Sequence, residues 1–121
     1  MGKTARDIMT TEVVTTTTYA TAGQVAALLT QKRISGVPVV SEGKVVGIIT
    51  EADLLGKFQD ATVDELMTAE VLSVGPDTYI TEVASMLADH GIKRVPVLDC
   101  GGNLVGIVSR ADMVKAMAAG G

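Results

Sequence analysis

Tryptophan is absent from this chain, and one cysteine, one histidine, two tyrosines and one phenylalanine are spread over its 121 residues. Each scarcity removes a class of function. Cys100 and His90 are too few for a disulfide framework or for a complete zinc site within one chain, and Cys100, in a Gly-rich turn, reads as an incidental thiol. A catalytic nucleophile needs a base and an orienting group, and the lone histidine has no such companions, so no enzyme activity, required cofactor or metal is expected. No basic run is present, the net charge is −4, and Tyr19, Phe58 and Tyr79 stand far apart. The positive patch and stacking platform of a nucleic-acid binder are therefore both missing. No segment approaches 18 uninterrupted apolar residues, and the N-terminus lacks the apolar core of a signal peptide. A soluble, cytoplasmic protein without a membrane partner is expected.

What the chain has in abundance is β-branched and small apolar residues, and it has them twice. Residues 95–112, VPVLDCGGNLVGIVSRAD, repeat residues 37–53, VPVVSEGKVVGIITEAD. Pro96 follows Pro38 by 58 positions and Gly106 follows Gly47 by 59, so the second turn is one residue longer. Continuous apolar runs at 37–40 and 45–49 predict strands covered on both faces. Pro38 and Pro96 offer no ladder donor and belong at a strand start or sheet edge. Gly47 and Gly106 mark a bulge or a close approach to the backbone, for which a ligand is one candidate.

Around these paired strands the other elements also recur. Thr4 with Asp7, and Thr62 with Glu65, carry the spacing of a capping box and predict short helical turns. Residues 13–16 and 71–74 are β-rich and predict a first strand in each repeat. Ala22, Val25, Ala26 and Leu29 then take the i, i+3, i+4, i+7 spacing of an amphipathic helix, as do Ile80, Val83, Ala84 and Leu87. Thr50 and Ser109 begin two further helices, predicted over 51–58 and 110–117. Each repeat reads β-α-β-β-α, with residues 57–64 as the link between them, and each is too small to bury a good core alone.

The chemistry gathers at Thr50-Glu-Ala-Asp53 and Ser109-Arg-Ala-Asp112. Helix capping alone accounts for both: a hydroxyl at the N-cap accepts a backbone donor, and an aspartate in the first turn complements the helix dipole. A helix N-terminus is also a natural phosphate site, and a carboxylate beside it can accept hydrogen bonds from ribose hydroxyls. Just ahead of each proline the halves diverge, Ile34-Ser35-Gly36 against Ile92-Lys93-Arg94. Lys93 and Arg94 serve either as a solvated pair at a turn or as phosphate-binding cations.

IMTTEVVT and LMTAEVLSV, ISGVPVV and IKRVPVL, and GIITEADLL and GIVSRADMV resemble the repeated elements of cystathionine-β-synthase (CBS) domains, over about residues 4–117. The resemblance implies an α+β fold in which two pseudo-twofold-related repeats, 4–58 and 62–117, pack as one CBS-pair module with two clefts. It also implies a regulatory, energy-sensing module that binds AMP, ADP or ATP in those clefts and relays this to a partner protein, and a homodimer. Leu28, Leu54, Met86 and Met113 are candidates for the dimer contact or the core.

By position, the resemblance gives Asp53 and Asp112 the ribose hydroxyls, with Thr50 and Ser109 nearby toward ribose or phosphate. Gly47 and Gly106 would admit the ligand, and Ile48 and Ile107 would form an apolar wall. Thr10 and Thr68, each at the start of the opposite repeat, would border the adenine. Ile34 and Ile92 complete the nucleotide-binding set with the cations Lys93 and Arg94, from which Ser35 and Gly36 depart. With so few aromatics, adenine would lie against Val, Ile and Met, giving moderate affinity. The alternatives are a structural dimerisation module without nucleotide and a sensor of S-adenosylmethionine.

Overall fold

Runs of β-branched residues bounded by Gly, Pro and Asp favour extended backbone, and in the computed structural model, which describes residues 2–69 and 71–120, each run pairs with the next. In chain order the elements are α1 (Ala5–Ile8), β1 (Thr16–Thr17), α2 (Ala22–Lys32), β2 (Gly36–Ser41), β3 (Lys44–Thr50), α3 (Glu51–Leu54), α4 (Val63–Leu66), α5 (Ile80–Asp89), β4 (Arg94–Leu98), β5 (Leu104–Ser109) and α6 (Arg110–Ala118). The fold is α+β. β2 and β3 form one antiparallel hairpin, closed by Glu42 and Gly43 at φ of 51° and 78°, the positive values that a type I′ turn requires. β4 and β5 form the other, its longer turn tied by Asp99 Oδ1, which accepts from Gly101 N and Asn103 N at 2.9 Å each.

The chain divides into two compact units, and the division does not follow the repeats. One unit runs from Val14 to Val71; the other joins the segment ending at Val13 to the chain from Leu72 onward. In the second, Ala5 N donates to Thr78 O at 2.8 Å and Arg6 N to Pro76 O at 2.9 Å, which fixes α1 beside the start of α5. Thr10 then bridges β5, with Thr10 N to Ile107 O and Ile107 N to Thr10 O both at 2.9 Å. The first unit repeats this arrangement. Val63 N donates to Ala20 O at 2.8 Å, and Thr68 and Ile48 exchange bonds of 2.9 and 3.0 Å. Each hairpin thereby gains a bridge from the segment that opens the other repeat.

Each unit has its own core. Val25, Leu29, Val37, Val39, Ile49 and Val63 fill one. Ala5, Val74, Val83, Leu87, Val95, Val97 and Val108 fill the other. A fully buried aliphatic side chain contributes about 1.5–3 kcal/mol, so these small clusters supply most of the driving force. Leu28 and Leu54, and Met86 and Met113, pack against these clusters as partly buried neighbours. The large apolar side chains left in solvent are instead led by Leu55, Phe58, Val114 and Met117, with Tyr19.

Three expectations need correction. The first strands are far shorter than 13–16 and 71–74: β1 pairs only Thr16 and Thr17 with Val39 and Val40, and in the other unit Val74 makes a single bridge to Val97. Val74 N donates to Pro96 O at 3.1 Å and Leu98 N to Val74 O at 2.9 Å, so Pro96 faces that edge without a donor and the ladder stops there. Pro38 holds the matching place beside β1. The helix expected over 51–58 ends at Leu54, where Leu55 turns extended and Gly56 takes φ of 74°. Lys115 stands where Gly56 would recur, and α6 continues to Ala118. Thr4 N donates to Asp7 Oδ2 at 2.8 Å as expected, but Thr62 makes no side-chain cap, and backbone bonds close that turn, Glu65 N to Thr62 O at 3.1 Å and Met67 N to Val63 O at 2.8 Å.

Gly47 and Gly106 lie where the hairpin registers slip, opposite Val39 and Val97. The close approach they permit is made by the chain itself. A Cβ at Gly47 would stand 2.6 Å from Met67 Sδ and 2.9 Å from Thr68 O; at Gly106 its three nearest neighbours would all be Met9 side-chain atoms. Gly47→Ala is therefore expected to cost about 1–3 kcal/mol, because a backbone carbonyl has to move. Gly106→Ala should cost less, and Met9→Ala should restore part of that loss. Urea unfolding reads these differences, and a Gly47→Ala protein as stable as wild type would contradict this packing.

Candidate functional site

In the unit that contains α6, β5 delivers Ser109 to the helix N-terminus and α6 returns Asp112 toward it one turn later. Asp112 Oδ2 accepts from Ser109 N at 2.9 Å and from Ser109 Oγ at 3.1 Å, while Asp112 N donates to Ser109 Oγ at 3.2 Å. This is a complete capping box. Asp112 Oδ1 points elsewhere and accepts from Thr10 Oγ1 at 3.3 Å. The bridge between Thr10 and Ile107 places that threonine. Ser109 also pairs across the hairpin with Arg94, and Ile107 with Pro96. Ile92 packs against the core, and Lys93 is exposed. Thr10, Ile92, Lys93, Arg94, Gly106, Ile107, Ser109 and Asp112 thus converge on one end of one hairpin.

The other unit builds the same frame. Asp53 Oδ2 accepts from Thr50 N at 2.9 Å and Thr50 Oγ1 at 3.1 Å. Thr50 pairs with Gly36, Ile48 with Pro38, and Thr68 bridges Ile48. Ile34 packs against that unit's core. Ile34, Gly47, Ile48, Thr50, Asp53 and Thr68 are likewise gathered. The match is incomplete, because among the described residues no hydrogen bond links the Thr68 hydroxyl to Asp53.

Capping therefore uses one carboxylate oxygen of each aspartate, and in Asp112 the other accepts from the bridging Thr10. Such an oxygen can accept from a diol, and the hydroxyls of Thr10 and Ser109, whose protons go to Asp112, keep lone pairs with which to accept. Asp7 holds α1 ahead of Thr10, and the Thr4 backbone N–H that it accepts holds its carboxyl below the usual 3.8. Among the described residues no three His, Cys, Asp or Glu side chains gather as a metal site. No helix of the described residues is long and apolar enough to cross a membrane.

Two residues at these sites escaped sequence reasoning. Arg110 Nε donates to Ile92 O at 3.1 Å and Arg110 N to Lys93 O at 2.9 Å, so a third cation belongs with Lys93 and Arg94. Glu51 N donates to Ser35 O at 2.9 Å in the same way. The signal was present in the first variable position of each Ser/Thr-x-x-Asp motif. A cleft of about 500 Å³ opens elsewhere in the α6 unit, among Gly75, Thr78, Glu82, Met86, Asp99 and Cys100. None of the sequence-predicted site residues lines it.

The CBS domain matches this chain twice, over residues 5–60 and 63–119. The chain belongs to the CBS domain family. A CBS domain-containing protein, YhcV of Bacillus subtilis, is 32% identical over 114 residues, spanning 89% of this chain and 81% of that protein. The CBS domain pair of protein MJ0100, solved with 5′-methylthioadenosine and S-adenosyl-L-methionine, superposes with a TM-score of 0.91 at 29% identity and covers both chains fully. CBSX2, solved with AMP, gives a TM-score of 0.90 at 28% identity over 98% of each chain. The fold is thus that of a CBS pair.

Proposed function

We propose that this CBS pair senses adenosine nucleotides through the Asp112 site and relays occupancy to a partner protein, without catalysing a reaction of its own. The observation that carries this is the contact from Thr10 Oγ1 to Asp112 Oδ1 at 3.3 Å. It leaves a carboxylate oxygen and two hydroxyls clustered beside the end of β5, a set of groups that complements a ribose diol. Lys93 and Arg94 supply charge for phosphate, and charge-assisted hydrogen bonds are roughly twice as strong as neutral ones. Ile107, half-buried at the bridge, offers the apolar surface that a chain poor in aromatics must use for adenine. The AMP held by CBSX2 supports this ligand class.

The S-adenosyl-L-methionine held by the MJ0100 pair favours a second class, adenosyl ligands without phosphate. The repeat boundaries 4–58 and 62–117, the cytoplasmic location and a homodimer belong to the same proposal. The exposed apolar residues Leu55, Phe58, Val114 and Met117 are the ones a dimer would cover.

Calorimetric titration with AMP is expected to show binding to the wild type, a loss of about ten- to a hundredfold with Asp112→Ala, and a smaller loss with Asp53→Ala. Equal effects of the two substitutions would contradict the assignment of AMP to the Asp112 site. Light scattering at micromolar concentration should give the mass of a dimer, reduced by Phe58→Glu or Met117→Glu. A monomer with and without nucleotide would remove the dimer from the proposal.

A further inference from the structure

The two Ser/Thr-x-x-Asp motifs differ most sharply just after the hydroxyl residue, where one has Arg110 and the other Glu51. Both residues open a helix and both are exposed. Each is tied to its hairpin by the same backbone bond, Arg110 N to Lys93 O and Glu51 N to Ser35 O, each at 2.9 Å. The frame is therefore shared and only the side chains change. Arg110 Nε donates to Ile92 O at 3.1 Å, which anchors the guanidinium beside the peptide that leads into Lys93. No other hydrogen bond or ion pair engages it among the described residues, and its terminal nitrogens remain available as a bidentate fork. Three cations, Lys93, Arg94 and Arg110, thus stand where the other repeat has Ser35, Gly36 and Glu51.

We infer that the residue after the capping hydroxyl sets the charge of the ligand that each site accepts. Arg110 makes the Asp112 site selective for an adenosyl ligand with a phosphate at its 5′ end. Glu51 restricts the Asp53 site to adenosyl ligands whose 5′ end is neutral or cationic, such as a thioether or a sulfonium. The inference rests on the adenosyl-binding function proposed above and adds a division of ligand classes between the sites. A carboxylate within a Debye length of about 8–10 Å repels a phosphate and attracts a sulfonium, and a guanidinium does the reverse.

Calorimetry with AMP and with 5′-methylthioadenosine tests the division on the wild type, Arg110→Ala, Arg110→Lys and E51R. Arg110→Ala should weaken AMP by about ten- to a hundredfold and leave 5′-methylthioadenosine within about twofold. Arg110→Lys, which keeps the charge but loses the fork, should fall between. E51R should add a second AMP per chain, and Asp53→Ala in that background should remove it. If the wild type binds AMP and Arg110→Ala binds it equally well, or if E51R gains no AMP, the inference is overturned while the adenosyl-sensing function stands. If the wild type binds neither ligand, both are overturned.

Discussion

The structure depends on two reciprocal pairs of backbone hydrogen bonds. Thr10 and Ile107 exchange theirs at 2.9 Å each, and Thr68 and Ile48 at 2.9 and 3.0 Å. A two-stranded hairpin is marginal by itself, and each hairpin here gains this added bridge from a segment that lies far away in sequence. The bridge dictates what stands beside it. Met9 and Met67 precede the bridging threonines and lie against β5 and β3, where only Gly106 and Gly47 leave room for them. It also sets the Thr10 hydroxyl against the capping aspartate.

On this repeated frame the chemistry is unequal. Backbone donors and acceptors recur pair by pair, from the capping boxes of Thr50 and Ser109 to the bonds that tie Glu51 and Arg110 to Ser35 and Lys93. Their side chains have diverged in charge. Because a backbone frame tolerates any exposed side chain at a helix start, electrostatic character can change there at little cost to stability. On the proposed reading, that freedom is what would let one chain present two related sites with different preferences.

Much of this was legible in the residues, for physical reasons that can be named. Val37 to Val40 and Val95 to Val97 had to be strands because β-branched runs fit a covered, pleated surface, and Val37, Val39, Val95 and Val97 are all buried. The Ser109 box was legible because its donors and acceptors are local in sequence. The length of the first strands was not, since it depends on which edge of the hairpin Pro38 and Pro96 face, a matter of tertiary placement. Gly56 could have announced the end of α3, as the matching Lys115 announces the continuation of α6. Gly47 and Gly106 were rightly read as points of close approach, but pattern alone offers no way to see that Met67 and Met9 come from the opposite repeat. Arg110 lies in plain view within its motif, but the bond from its Nε to Ile92 O joins residues 18 apart and is not legible in the motif.

The central claim is that the capping box of Asp112, with Thr10 beside it, is where an adenosine nucleotide is held. Amide chemical-shift mapping by NMR during titration with AMP tests this most directly, because it reports position and binding together. The account predicts that the largest shifts fall on Thr10, Lys93 and residues 106–112, with smaller ones at Asp53. Shifts centred on the cleft around Gly75, Glu82 and Asp99, or none at millimolar AMP, would contradict it.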